Sequence, residues 1–143
     1  DDLRTAIRRN PRAELAFLLV ASADWARRYK LLALAYCRRT WCHHLALDFL
    51  AVRPGLKLAN QPISGIGTGM LFSLTGLAAS LGIEMIWGEA TASSAPFYEK
   101  ILQTRPVQDL FIIRREAMHG IREYYFADRK RRLAKLKQRT HSP

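Results

Sequence analysis

A mixed α/β fold is what this chain predicts, and three observations lead there. Three short apolar runs separated by polar breaks occupy residues 15–52, a glycine-rich turn then opens a helix-like segment, and another strand-like apolar run follows that helix. A strand, a crossover helix and a further strand imply a parallel pair, whereas the earlier runs are close enough in sequence to pair antiparallel. The 143 residues are expected to form one domain, residues 1–143, ending in a basic helix from about residue 118. Hydrophobic residues at 49% and charged residues at 24% fit a globular chain and exclude a disordered one.

Residues 1–10 read as a short polar helix stopped by Pro11. Residues 15–21 and 29–37 are apolar, with Asp24-Trp25-Ala26-Arg27-Arg28 between them. Their Ala and Leu content alone would suit helices, but their length and the polar break favour two antiparallel strands. A third strand over residues 44–52 follows Arg38-Arg39-Thr40 and is stopped by Arg53-Pro54-Gly55. The spacing predicts a helix over residues 70–81: Leu71, Leu74, Ala78 and Leu81 share a face, while Ser73, Thr75 and Ser80 lie elsewhere on the wheel. Gly82 ends it. Residues 84–90 form a strand around Met85, Ile86 and Trp87. Ser94 caps a helix that takes Pro96 in its first turn. Residues 109–113 form the last strand, and the basic helix carries Ile121, Tyr125 and Leu133 at its apolar positions.

The net charge of +11 predicts attraction to something anionic. Residues 114–139 hold ten Lys/Arg against Glu116, Glu123 and Asp128, so much of that charge belongs to the C-terminal helix. Arg129-Lys130-Arg131-Arg132, Lys135, Lys137 and Arg139 read as a solvated helix end running into a disordered terminus. Residues 58–83 are uncharged and long enough to span a bilayer. Five glycines, Pro62, Asn60, Gln61 and five hydroxyl residues leave that stretch only mildly apolar, so a surface helix on a sheet is expected instead. Cys37 and Cys42, beside His43-His44, lack zinc-site spacing. Two reduced thiols of a cytoplasmic protein are expected, with no metal. The opening residues do not read as a signal peptide.

The run Ser64-Gly65-Ile66-Gly67-Thr68-Gly69 lies between the third strand and a helix, which is how a chain builds a site for a pyrophosphate. Glycines permit positive φ and close backbone approach, and the first N–H groups of the following helix point at an anion.

The order of parts resembles the GNAT family of acyl-CoA-dependent N-acyltransferases. Leu50-Ala51-Val52-Arg53-Pro54, then Gly65-Ile66-Gly67-Thr68-Gly69-Met70-Leu71, the strand 84–90 and Ser94-Ala95-Pro96-Phe97-Tyr98-Glu99-Lys100 follow the family's sequence of motifs. The resemblance spans roughly residues 15–102 and is densest from residue 45. It implies a mixed central sheet with antiparallel N-terminal strands and a splayed parallel pair, flanked by helices. It implies acetyl-CoA or another acyl-CoA as the donor, held by the backbone of Leu50, Ala51 and Val52 and by N–H groups of Gly65, Ile66, Gly67, Thr68, Gly69 and Met70. Thr91 and Ser94 stand where the family carries Asn and Ala, beside the same cofactor. Pro62 stands where the family has Arg or Gln. Tyr98 matches the tyrosine that can protonate the departing thiolate.

Acylating an amine needs a base. Asp48, four residues before Val52 in an apolar run, is the first candidate; His44 shares its face by period-two spacing, and Glu89 ends the next strand. The expected activity is acyl transfer to a small-molecule or peptide amine, with a homodimer as the assembly the resemblance suggests. Two alternatives remain open. One is a long-chain acyl donor lying beside Phe49, Leu50 and Trp87, and the other is a non-catalytic relative that binds nucleic acid through the basic helix.

Overall fold

The computed structural model describes residues 2–24, 30–58, 61–104 and 106–140. In chain order the elements are α1 (Asp2–Arg9), β1 (Leu15–Ser22), β2 (Leu31–Arg39), β3 (Leu45–Val52), β4 (Lys57–Leu58), β5 (Gln61–Pro62), α2 (Ile66–Ser80), β6 (Met85–Glu89), α3 (Ala95–Leu102), β7 (Leu110–Arg114) and α4 (Arg115–Thr140). The main sheet has the order β1-β2-β3-β6-β7. All its neighbours are antiparallel except β3 and β6, which run parallel as the crossover through α2 requires.

That parallel ladder is short. It comprises Leu45↔Ile86, Ala46↔Trp87 and Leu47↔Gly88, after which β3 continues to Val52 with no strand partner on that side among the described residues. On its other side β3 stays paired with β2 through Ala33↔Val52. The two central strands therefore separate. Asp48 is the extra residue of a β-bulge, since Tyr36 faces Phe49 while Cys37 faces Leu47. A bulge bends its strand and increases the local twist, which helps to drive the separation.

One core lies between the sheet and the helices. Ala33, Ala35, Cys37, Leu45, Leu47, Ile86, Phe111 and Ile113 from the strands meet Leu71, Leu74 and Ala78 of α2, Tyr98 and Ile101 of α3, and Met118 and Ile121 of α4. The strand residues that belong to this core alternate with residues pointing away from it, so α2, α3 and α4 form a layer on one face of the sheet. No helix among the described residues is long and apolar enough to cross a membrane.

Several expectations are corrected. The strand expected from residue 29 begins at Leu31, and residues 25–29 lie outside the described residues. α2 starts at Ile66, not residue 70, because the helix propagates back through Gly67 and Gly69 to the left-handed Gly65, φ 87°. Thr75, placed on the polar side by the pattern, is fully buried and donates from Oγ1 to the carbonyl of Phe72, 2.8 Å. Its helix is enclosed on two sides, by the sheet and by α4, where Phe72 stacks on Tyr125 at 4.3 Å. Ser94 stands at the N-cap of α3, but its hydroxyl turns back to Thr91 and does not cap the helix. α4 begins directly after β7 and runs to Thr140, so the basic end is helical as expected, and the disordered terminus expected beyond it falls on residues 141–143, outside the described residues. The β4–β5 pair, within the long link to the glycine run, carries no sequence signal that anticipates it. Gly82, φ 69°, ends α2 as expected: its N–H reaches Ala79 and that of Ile83 reaches Ala78, the two bonds of a Schellman motif.

Gly88 leaves no room between β6 and β3. A Cβ there would lie 2.5 Å from the carbonyl oxygen of Leu47 and 2.7 Å from the Phe111 ring. Neither is a flexible side-chain end, so Gly88→Ala is expected to lower unfolding stability by about 1–3 kcal/mol. Urea denaturation of the two proteins, followed by circular dichroism, checks this.

Candidate functional site

Three elements converge where β3 and β6 part. The end of β3 presents Leu50, Ala51 and Val52, whose edge toward β6 has no strand partner among the described residues. Alternate N–H and C=O groups on such an edge are free to pair with an extended ligand. The first turn of α2 lies beside it, since a Cβ at Gly67 would meet Val52 Cγ2 at 3.5 Å and the Phe97 ring of α3 at 3.1 Å. Gly67 thus lets three elements close on one another.

The glycine run is more helix than loop. The N–H of Gly69 bonds the carbonyl of Gly65 at 2.9 Å. That bond, and the next one of the helix from Met70, use two of the donors expected for a phosphate. Ile66, Gly67 and Thr68 remain as first-turn donors, with Gly65 at the turn itself.

A residue that the sequence reading assigned to solvent joins this end of the helix. The Arg132 guanidinium would stand 3.2 Å from a Cβ at Gly65, donates to Ser64 Oγ, and is held by Asp128 Oδ2 at 2.5 Å. Arg132 and Ser64 are 68 positions apart, so no local pattern in the sequence connects them. The i, i+4 spacing of Asp128 and Arg132 was the one available signal.

The candidate bases fare differently. Asp48 is clasped by Arg38, Nε to Oδ2 at 2.5 Å and Nη2 to Oδ1 at 2.9 Å. The Arg38 hydrogen bonds, and then its charge, hold the carboxyl below the usual range against the opposing effect of burial. A carboxylate held in this way is a weak proton acceptor. Glu89 is the exposed last residue of β6, one position past the final parallel pair Leu47↔Gly88. The register therefore brings Asp48 and Glu89 to opposite lips of the split. His44 is not brought there. It precedes β3 at the end away from Val52, with Nδ1 3.4 Å from Cys42 Sγ.

Tyr98 is buried in α3, its ring stacked on Phe111 at 4.0 Å and edge-on to Phe97 at 5.1 Å. Burial, with a smaller contribution from Cys37, pushes its phenol up to about 12. The hydroxyl is therefore protonated at neutral pH and suited to donating. Transfer to a thiolate of ordinary basicity, about 8.5, is uphill by roughly three units and must be coupled to departure of the sulfur. Thr91 and Ser94 close the β6–α3 turn on themselves: Ser94 Oγ accepts from the Thr91 N–H at 2.9 Å, and Thr91 Oγ1 lies 3.0 Å from Ser93 Oγ. Among the described residues no group of three or more His, Cys, Asp or Glu could hold a metal.

No protein-family profile matches this chain. No curated protein matches it in sequence. A solved structure of a Tyr-to-Phe mutant of the AtaT toxin aligns with a TM-score of 0.36 at 13% identity, over 75% of this chain and 58% of that one. This chain thus spans less than two thirds of that protein's length. Likeness at that level speaks to neither activity nor substrate.

The buried thiol and phenol make a stability prediction. Burial, aided by the Asp48 charge, pushes Cys37 from 9.0 up to about 12, and Tyr98 rises from 10.0 to about 12. Unfolded, both groups release protons first, so their contribution is complete below about pH 9 and lost as pH rises toward 12. Tyr98→Phe is expected to shrink that alkaline loss by roughly 2 kcal/mol at pH 12, read from urea titrations across the range.

Proposed function

We propose that this chain is an N-acyltransferase that moves an acetyl or other acyl group from acyl-CoA to an amine. The observation that carries the reading is the opening of β3 from β6 onto the first turn of α2. One lip offers an unpaired strand edge to the pantetheine arm, and the helix turn offers N–H donors to the pyrophosphate. The resembling family has Arg or Gln at the position of Pro62, and this chain instead brings the Arg132 cation to Ser64 and Gly65 at the start of α2.

In this arrangement the amine nitrogen attacks the thioester carbonyl. A C–N bond forms and the carbonyl oxygen takes up negative charge, which an outward N–H of Leu50, Ala51 or Val52 stabilises. Glu89, directly or through water, accepts the amine proton. The C–S bond then breaks and the Tyr98 hydroxyl gives its proton to the thiolate, so the products are an amide and free CoA. Asp48 holds Arg38 at the opposite lip and does not take the base role.

The binding half of the reading is tested by melting temperature. Acetyl-CoA at 100 times its dissociation constant stabilises by about 2.7 kcal/mol, a rise of several degrees in a protein of this size. Arg132→Ala is expected to weaken binding about tenfold with an unchanged fold. A wild type whose melting temperature ignores millimolar acetyl-CoA contradicts the proposal.

For the chemical half, release of free CoA thiol is followed with a panel of amines. Glu89→Gln is expected to lower kcat by about 100-fold with KM for acetyl-CoA unchanged. Asp48→Asn is expected to leave the pH profile of kcat/KM where it was.

A further inference from the structure

At the end of α2 away from the candidate donor turn, α2 and α4 flank a cavity of about 480 Å³. Gly67 and Ala79 are about 18 Å apart along the helix at about 1.5 Å per residue, so this is a separate place. Small-molecule sites are roughly 300–1,000 Å³, mostly apolar in their lining, with a few convergent polar groups. The floor here is of that kind: Ile83 and Met118 are buried in it, and Ala79 lies beside them. One wall is basic. Arg115, His119 and Arg122 follow one another on α4 at i, i+4 and i+7, which puts them on one face of the helix.

The three are not equivalent. Arg115 pairs with Glu84 at the surface. Arg122 has no acid as a partner among the described residues. Its guanidinium lies over the Phe72 ring, 5.1 Å from the centroid. It also lies against the backbone of α2, where a Cβ at Gly76 would stand 3.3 Å from Nη1. Glycine inside a helix is destabilising relative to alanine, and here the missing side chain seats a cation beside the cavity. Capping of α2 does not require that cation. The carbonyls of Leu77, Ala78 and Ala79 are already taken by the N–H groups of Leu81, Gly82 and Ile83. The Thr75 hydroxyl, also in the lining, is used by the Phe72 carbonyl. Polar recognition in this cavity therefore falls to α4.

We propose that the cavity binds a small organic anion, with its acidic head on Arg122 and His119 and its apolar body against Ile83 and Met118. A guanidinium fork and an imidazole N–H on adjacent turns suit the oxygens of a phosphate or carboxylate. A polyanion such as nucleic acid binds runs of exposed cations and gains nothing from an apolar recess, whereas a small amphipathic anion uses both. The site stands apart from the donor turn and does not depend on the acyltransferase reading.

Backbone ¹⁵N–¹H spectra test this during addition of phenyl phosphate and of benzoate, each to about 10 mM at constant ionic strength. The expected result with at least one probe is saturable shifts at Ala79, Gly82, Ile83, Met118 and His119. Inorganic phosphate, which lacks the apolar body, is expected to bind at least about tenfold more weakly. Arg122→Leu, which keeps an apolar contact on Phe72, is expected to weaken binding by about tenfold or more. Arg129→Leu, further along α4, is expected to leave it within about twofold, and circular dichroism checks both folds. No saturable shift with either probe overturns the proposal. So do shifts centred on Ile66, Gly67 and Thr68, inorganic phosphate that binds as tightly as the organic probes, or equal weakening by the two variants. Should Arg122→Leu fail to fold, the side-chain Nε–H resonance of Arg122 in the wild type decides: a shift that saturates with the backbone signals supports the site, and an unmoved resonance contradicts it.

Discussion

Three residue pairs hold this fold together across its middle. Leu45↔Ile86, Ala46↔Trp87 and Leu47↔Gly88 join an antiparallel unit of β1, β2 and β3 to the antiparallel pair of β6 and β7. The last pair depends on a missing side chain, because the carbonyl of Leu47 and the ring of Phe111 occupy the space a Cβ at Gly88 would need. Tight closure there and the bulge at Asp48 just beyond force the strands apart within one residue. The core seals the closed end, and the candidate site is the open one. Stability and the shape of the candidate site thus depend on the same short ladder.

Electrostatics at the open end reinforce that division. The first turn of α2 carries the positive end of a helix dipole, and Arg132 brings a full positive charge to the same place. Two like charges together are unfavourable unless something offsets them. Asp128 does so in part, from within α4 itself. An anionic ligand between the helix turn and the guanidinium would do so more completely. The bland alternative, a basic helix end fading into solvent, does not account for a guanidinium turned back onto Ser64.

Much of the architecture could be read from the sequence, and particular residues show why. β1, β2 and β3 were visible because apolar runs of that length, broken by polar residues, do not suit amphipathic helices. The order of strand, glycine run, helix and strand announced the parallel pair. Burial that depends on two neighbours at once escaped the pattern: Thr75 looks polar on a helical wheel, yet it is enclosed by the sheet and α4 together. The start of α2 was missed because glycines in sequence suggest a loop, whereas here Gly67 and Gly69 are helical and admit Phe97, Val52 and Tyr125 close to the backbone. Among the site residues, Asp48 and Glu89 could be placed by strand position, but the Arg38 clasp that separates their roles is a cross-strand contact. Arg132 was out of reach, since its partner Ser64 is remote in sequence.

The central claim is that the separation of β3 from β6 forms the donor site. Backbone ¹⁵N–¹H spectra recorded while acetyl-CoA is added test it most directly. The account predicts shifts concentrated at Leu50, Ala51 and Val52 and at Ile66, Gly67 and Thr68, with the β1–β2 hairpin unmoved. Saturable shifts confined to other elements, or none at millimolar acetyl-CoA, would contradict it.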